Sequence, residues 1–465
     1  MSWILNLAYL FTVLAASPIL LYRMIVLKKY REGWDQKLFG LLPERTESTA
    51  PLVWLHAVSV GEILQLDPVL AEIRSRRPDV EFLISTTTNT GYALAKKRFT
   101  EHQVCFFPLD FSWAVRRAIA RVRPASIVLV ELELWPNFIF EASRRGIPLS
   151  LINGRISARS YRNYRFARGF MARLLGRFDI IAAQNSLYAD RFRDLGAPDD
   201  RLKITGSIKF DRVTTKRDNL KTNELRESFR LKPADRVFIA GSTQSPEEEL
   251  ALDAYQELVA EFPNLRLILV PRHKERFDEV AKLVERRGLP LIRRSNVQPN
   301  DRRQAVGLVK TATAPVLLLD TLGELSACWG LAEVAFVGGS LTNRGGQNMI
   351  EPAAFGAAVL FGPNTWNFKD VVEVLLSHDA ARVINSGNEL TQTVRSLLAN
   401  PADAAQYGRW AQELVLGQQG ATARTVDLIL PSITRNLFTG RALGLRAAGF
   451  ETGKAEGNGG RIPGY

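Results

Sequence analysis

The chain has 465 residues, of which 46% are hydrophobic and 23% charged, enough for two domains with sizeable cores and unlike a disordered or fibrous protein. The net charge of +13 points to an anionic partner, whether nucleic acid, acidic phospholipid or a phosphorylated substrate, with plain solubility as the alternative. Two cysteines in separate segments, Cys105 and Cys328, offer no metal-ligand spacing and no disulfide framework, so a reducing compartment fits.

From Trp3 to Tyr22 no residue is charged, and the apolar run resumes over 24–27. This length predicts a helix that crosses a bilayer. Lys28, Lys29 and Arg31 follow at once, and by the positive-inside rule they hold the downstream chain in the cytoplasm. Nothing positive precedes the run, which disfavours a signal peptide. Pro18 is expected to kink the segment, and a buried or monotopic helix is the alternative.

Beyond a basic stretch, short apolar runs at 52–55, 82–88, 126–130, 148–152 and 180–183 alternate with amphipathic stretches. Such runs read as strands of a parallel sheet covered on both faces, with 201–209 as its last strand. A polar stretch over 211–235 reads as a linker with a short helix. The pattern then restarts, with strands predicted at 237–240, 265–270, 316–319, 334–337 and 359–361. Residues 297–310 read as an exposed loop and the Gly-rich 451–465 as disordered. The expected fold is therefore α/β, with two doubly wound halves and ligands at the carboxyl ends of their strands. The expected domains are an anchor over 1–30, a first domain over 31–212, a second over 213–435 and a tail over 436–465.

Several strand ends carry chemistry. In WLHAVSVGE (54–62), Ser59 and Glu62 form the spacing of a helix capping box. The same Glu62 lies just past a strand end, where a carboxylate could accept a proton from a sugar hydroxyl. In VELELWPN (130–137), Glu131 and Glu133 should point the same way on an extended backbone and therefore face a cavity or pair with bases. Arg155 and Lys209, also at predicted strand ends, are the candidate partners, and a purely structural ion-pair cluster is the alternative.

The second half reads as an anion site. Ser242 and Thr243 end a strand ahead of a helix expected to start at Ser245, and Arg272 and His273 follow another strand. Gly338, Gly339, Gly345 and Gly346 precede a helix expected near Asn348, and glycines there let backbone N–H groups approach a phosphate. Glu351, in that helix's first turn, could accept from ribose hydroxyls. Each of these also has a plain turn-and-cap reading. No phosphate-binding loop of the G-x-x-x-x-G-K-[ST] kind, no G-x-G-x-x-G junction and no H-E-x-x-H occurs, so neither zinc nor hydride chemistry is expected.

Taken together, WLHAVSVGE, STTTNTGY, ELWPN, RISARS, AAQN, TGSIKFD, EEE, LVPRHKERF, DTLGEL and AFVGGSL through EPAAFGAAVLFGPNTWNF resemble the 3-deoxy-D-manno-octulosonic acid (Kdo) transferases of lipopolysaccharide synthesis. The resemblance runs from about residue 30 to 430 in the family's order. It implies a GT-B fold, with two Rossmann-like domains facing a cleft. It also implies inverting, cofactor-free and metal-independent transfer of Kdo from CMP-Kdo to a hydroxyl of a lipid A precursor (lipid IVA) at the inner membrane, and no nucleic-acid partner. On the matching positions it makes Glu62 the general base. Glu131 and Lys209 are carried over as catalytic, Arg272 as a cation near the leaving phosphate, and Asn348 and Glu351 as part of the nucleotide-binding helix. Three positions depart from the family's usual pattern: Gln244 and Gln347 replace histidines, and Leu132 replaces a threonine. Another GT-B enzyme acting on a UDP-sugar, or a non-catalytic membrane-tethered module that binds anionic lipid, are the alternatives.

Overall fold

The computed structural model of the chain describes residues 2–26, 32–45, 48–297 and 314–433. The chain divides into two compact units, Met1–Asp211 with Gly420–Tyr465, and Arg212–Gln419.

The first unit is built on strands β1 (Leu52–His56), β2 (Glu81–Thr86), β3 (Gln103–Phe106), β4 (Ser126–Val130), β5 (Leu149–Gly154), β6 (Ile180–Ala183) and β7 (Leu202–Ile204). They form one sheet in the order β3-β2-β1-β4-β5-β6-β7, and every pair is parallel. Side chains alternate across it, as a period of two requires. Val53 and Leu55 join Ile63, Leu66 and Ile84 on one face, while Trp54 joins Phe107 and Phe138 on the other. Both faces are covered, which is why these strands read as unbroken apolar runs. The order reverses direction between β1 and β4, the switch point at which open parallel sheets receive ligands.

The predicted strand over 201–209 holds only for Leu202–Ile204. Gly206 turns the chain at φ 90°, and Ile208–Arg212 is a 3-10 helix. The run 82–88 stops at Thr86, because Thr88 leaves the strand to cap the helix Asn89–Arg98 through its hydroxyl.

The helix Ser2–Ile25 differs most from expectation. Among the described residues no helix is long and apolar enough to cross a membrane. Its polar side chains are tied to the first unit instead. Asn6 is buried, donates to Ser112 Oγ at 2.8 Å and accepts from the Ser112 N–H at 3.0 Å. The Tyr9 hydroxyl donates to Asp110 at 3.0 Å. Trp3, Leu7, Phe11 and Leu14 remain exposed. Lys28, Lys29 and Arg31 lie outside the described residues.

Asp110 organises this corner. Its carboxylate also accepts the N–H groups of Asn137 and Phe138, both at 2.8 Å, in the first turn of the helix Pro136–Arg144. Asp110→Ala is expected to cost about 2 kcal/mol, the loss of a helix cap plus buried donors left unpaired. Burial pushes the Asp110 carboxyl up to about 7. The folded state therefore holds a proton that the unfolded state has already released, and that contribution is lost as pH rises toward about 7. Urea unfolding should show a larger deficit for the variant at about pH 5 than at about pH 8.

The second unit repeats the design with β8 (Arg236–Thr243), β9 (Leu265–Pro271), β10 (Leu291–Arg293), β11 (Val316–Leu318), β12 (Val334–Val337), β13 (Ala358–Phe361) and β14 (Ala381–Val383). The order is β10-β11-β9-β8-β12-β13-β14, again all parallel, with the switch point between β8 and β12. The linker over 211–235 contains the helix Leu220–Ser228, capped by Asn219. The expected second domain over 213–435 is shorter than predicted, because the chain leaves this unit at Gln419. Residues 421–433 are helical, and Ala421, Val426, Ile429 and Ile433 pack with Val53 and Leu55 in the core of the first unit. Asp211 accepts the N–H groups of Gly420 and Thr422 at the start of that helix. The predicted loop over 298–310 and the tail over 436–465 lie outside the described residues.

Candidate active site

Glu62 sits in the first turn of the helix Val60–Arg76, directly after β1 and beside the switch point. The capping box is formed in full, with Ser59 as N-cap. One carboxylate oxygen accepts from the Ser59 hydroxyl at 2.6 Å and the Ser59 N–H at 3.3 Å. The other accepts from the Val58 N–H at 2.8 Å. Three of about four acceptor positions on the carboxylate are filled, so about one remains for a further donor. Only 8% of Glu62 is exposed. Burial pushes its carboxyl above the usual carboxylate range. The Ser59 and Val58 hydrogen bonds pull it down, and Glu131 and Glu133 push it up again.

Glu131 follows β4 on the other side of the switch point. It is left-handed, with φ 60°, an uncommon and strained conformation for a residue with a side chain. The strand ends at Val130, just before that turn, and Glu131 and Glu133 take different partners. Glu131 accepts from Arg155 Nε at 2.7 Å and from Gln65 Nε2 at 3.1 Å, and Lys209 Nζ lies 3.6 Å away. Glu133 accepts from the Trp135 indole at 2.8 Å and lies 3.7 Å from His56 Nε2. The basic partners expected for Glu131 are thus in place, although Lys209 stands on a 3-10 helix rather than a strand end.

Sequence reasoning missed two members of this cluster. Gln65, one turn after Glu62 on the same helix, is buried and accepts from the Asn153 amide while donating to Glu131. Asn153, fully buried at the end of β5 with φ 51°, also accepts the Ile208 N–H at 3.2 Å, next to Lys209. A hydrogen-bonded chain therefore joins the helix of Glu62, the carboxylate of Glu131 and the turn of Lys209. The available signal was a glutamine on an otherwise apolar helix face.

In the second unit, Ser242 and Thr243 close β8, with Ser242 left-handed at φ 55°. Gly338 follows β12 against them: a Cβ there would stand 2.6 Å from Thr243 Cα and 2.8 Å from a Glu247 oxygen. The N–H of Gly339 does not point to an open anion site, because it donates to Glu247 at 2.7 Å. Glu247, fully buried, also receives the N–H groups of Gln244, Ser340 and Leu341 at 2.9, 3.0 and 2.9 Å. In the sequence this residue stands out only as the first of EEE, and in the fold it gathers four backbone N–H groups. The helix it opens starts at Glu247 and not at Ser245.

Gly345 and Gly346, at φ 86° and 75°, form the turn next to this loop. A Cβ on Gly345 would meet Trp366 Nε1 at 2.5 Å and Asn367 Nδ2 at 2.6 Å. Gln244 and Gln347 converge: a Cβ on Gly339 would find their amide nitrogens at 3.5 and 3.3 Å. Asn348 donates to Glu351 at 2.9 Å and accepts the Ile350 N–H at 3.1 Å, at the start of the helix Ile350–Ala354. Burial pushes the Glu351 carboxyl up, against the pull of Asn348, Arg212 and Arg272. Arg272 follows β9, and its N–H donates to the Thr243 carbonyl at 3.0 Å, while His273, next to it, is exposed. Among the described residues no three His, Cys, Asp or Glu side chains converge so as to hold a metal ion.

Comparison with known proteins bears on the family and the fold. A model of the family "3-Deoxy-D-manno-octulosonic-acid transferase (kdotransferase)" matches residues 32–212. The 3-deoxy-D-manno-octulosonic acid transferase of Haemophilus influenzae is 34% identical over 389 residues, covering 83% of this chain and 88% of its own. Its counterpart from Bordetella pertussis is 33% identical over 418 residues, covering 86% and 93%. The crystal structure of UDP-GlcNAc 2-epimerase from Neisseria meningitidis superposes with a TM-score of 0.56 over 82% of this chain and 100% of its own, at 11% identity. That last likeness is one of fold alone, and it matches the two doubly wound parallel sheets to GT-B architecture. With two relatives above 30% identity over most of its length, the chain belongs to the 3-deoxy-D-manno-octulosonic acid transferase family.

Proposed function

We propose that this protein transfers Kdo from CMP-Kdo to a hydroxyl of a lipid A precursor, with inversion and without a metal. The observation that carries this reading, within the family, is the buried Glu62 at the β1–β4 switch point, with about one acceptor position left after its capping bonds. In the proposed step the acceptor oxygen forms a bond to the anomeric carbon and its proton passes to Glu62. The bond from that carbon to the phosphate oxygen breaks, and CMP leaves with the electron pair. Lys209 and Arg155, held at Glu131, supply positive charge near the reacting sugar. In the second unit, Arg272, Asn348 and Glu351 take the nucleotide, with Ser242, Thr243, His273 and the glycine turns shaping its seat.

The acceptor is a lipid, so the protein is placed at the cytoplasmic face of the inner membrane. The exposed Trp3, Leu7, Phe11 and Leu14 and the excess of basic residues favour that surface, and a helix lying on it replaces the expected span.

The test is transfer by the purified full chain in detergent, with CMP-Kdo generated in place and a tetra-acylated lipid A precursor as acceptor. Product is expected with CMP-Kdo and not with UDP-sugars. Because the Glu62 carboxyl lies above the usual range, and the base must be ionised, kcat/KM should fall with acidification earlier than for an ordinary carboxylate. A folded protein that gives product only with a UDP-sugar would overturn the donor assignment.

A further inference from the structure

The second unit carries a cavity at the opposite end of its sheet from Gly338. Val237 at the start of β8 and Glu333 just before β12 help to line it, and its volume is about 880 Å³. Cavities of about 300–1,000 Å³ commonly take small organic ligands. At about 3.3 Å per residue, the stretch of β8 from Val237 to Thr243 sets this cavity roughly 20 Å from Thr243.

Its lining combines an apolar wall, including Leu331 and Phe355, with four cations, Arg217, Arg226, Lys232 and Arg409. Two acids, Asp235 and Glu333, are also present, but each is already matched by an arginine outside the lining. Asp235 lies 2.9 Å from Arg266, and Glu333 accepts from Arg236 Nε at 2.9 Å. Among the described residues none of the four lining cations forms an ion pair. Arg217 donates to the carbonyls of Phe355 and Gly356 at 2.6 and 2.9 Å, just past the helix Ile350–Ala354. Arg226 donates to the Asn223 side chain at 2.9 Å, and Arg409 donates to Gln406. Carbonyl and amide oxygens engage the three arginines without an ion pair, and Arg217 feels a lining acid, Glu333. Burial holds the Arg217 guanidinium below its usual range, Glu333 opposes this, and the nearby Arg226 adds to it.

Like charges outside ion pairs around a concave apolar wall favour entry of an anion. Guanidinium groups suit phosphate oxygens in particular, since their paired N–H donors match them. We propose that this cavity binds a phosphate ester, with the phosphate between Arg226, Lys232 and Arg409 and the carbon skeleton against Phe355 and Leu331. Arg217 has a structural task at the helix end, so Arg226 and Arg409 are the residues to vary.

The test uses the full chain in detergent with saturating CMP, so that phosphate binding at the nucleotide seat is suppressed. Phenyl phosphate is the soluble probe, read by thermal unfolding. Phosphatidylglycerol vesicles, compared with phosphatidylcholine vesicles, are the lipid probe, read by co-sedimentation. Wild type should respond to at least one probe. Arg226→Gln with Arg409→Gln should weaken that response at least ten-fold with Kdo transfer unchanged, and Arg226→Lys with Arg409→Lys should restore most of it. A response to phenyl phosphate alone assigns a soluble ester, and a response to the vesicles alone assigns a lipid headgroup. If the glutamine pair fails to fold, Lys232→Gln with Arg409→Gln replaces it, since both side chains are exposed. No response in wild type, or an undiminished response in the glutamine variants, overturns the proposal.

Discussion

Glu62→Gln is expected to slow Kdo transfer by about 10²–10⁴-fold, the contribution of a positioned general base. The glutamine keeps the size of the side chain but cannot accept the acceptor's proton. It also disturbs the cap. Glu62 receives the Ser59 hydroxyl and N–H on one oxygen and the Val58 N–H on the other, so an amide nitrogen in either position faces a donor. That should cost about 1 kcal/mol of stability, typical of a lost cap, and leave the protein folded. CMP protection against thermal unfolding should persist, because Glu62 belongs to the first unit and the proposed nucleotide residues to the second. The pair of readouts separates the two tasks of this one carboxylate. Lower stability with normal turnover would leave Glu62 a cap and nothing more. Lost turnover in a folded, CMP-protected protein supports the base. In the residual activity of the variant, the acid limb of the pH profile attributed to Glu62 should be absent.

Much of the fold could be read from residue order because both sheets are covered on two faces. Runs such as 52–55 and 334–337 are apolar without interruption and announce themselves. The strands that escaped notice, Gln103–Phe106, Leu291–Arg293 and Ala381–Val383, lie at sheet edges. Leu291–Arg293 and Ala381–Val383 are three residues long and leave no run to detect, whereas Gln103–Phe106 opens the apolar run 104–107, as long as 52–55, and was legible. The helix over 421–433 gave no local sign that it would pack on the first unit, since that depends on contacts with Val53 and Leu55 far back in the chain. The amino-terminal run shows a related dependence. Its lack of charge spoke for a span, whereas Asn6 and Tyr9 have partners only in the folded unit. At the site, Glu62 and Glu131 were legible because strand ends at a switch point receive ligands. Their surroundings were not. Glu131 and Glu133 take different hydrogen-bond partners after the left-handed turn, and no local rule predicts that Gln65 and Asn153 would bridge Glu131 and the turn of Lys209.

Glu247→Gln should be nearly as damaging as Glu247→Ala, even though glutamine has the same shape. Each carboxylate oxygen of Glu247 accepts two backbone N–H groups, those of Gln244 and Gly339 on one and those of Ser340 and Leu341 on the other. Whichever way the glutamine amide turns, its NH2 confronts two donors and leaves both unpaired in a fully buried setting. A buried donor without a partner costs about 1–3 kcal/mol, so a loss of about 3 kcal/mol is expected in urea unfolding. Water cannot easily repair the site, because Gly338 already packs against the carboxylate with no room for a Cβ. The consequence should reach function. The loop after β12 supplies Gly338 and Gly339, and the Gly346 N–H donates to the Gly339 carbonyl at 2.8 Å, linking it to the turn before Asn348 and Glu351. Releasing that loop should weaken CMP protection at least ten-fold under conditions where the variant is still folded. A variant that keeps both stability and CMP protection would show that the loop holds its shape without Glu247, and that the amide of Gly339 is available to a ligand after all.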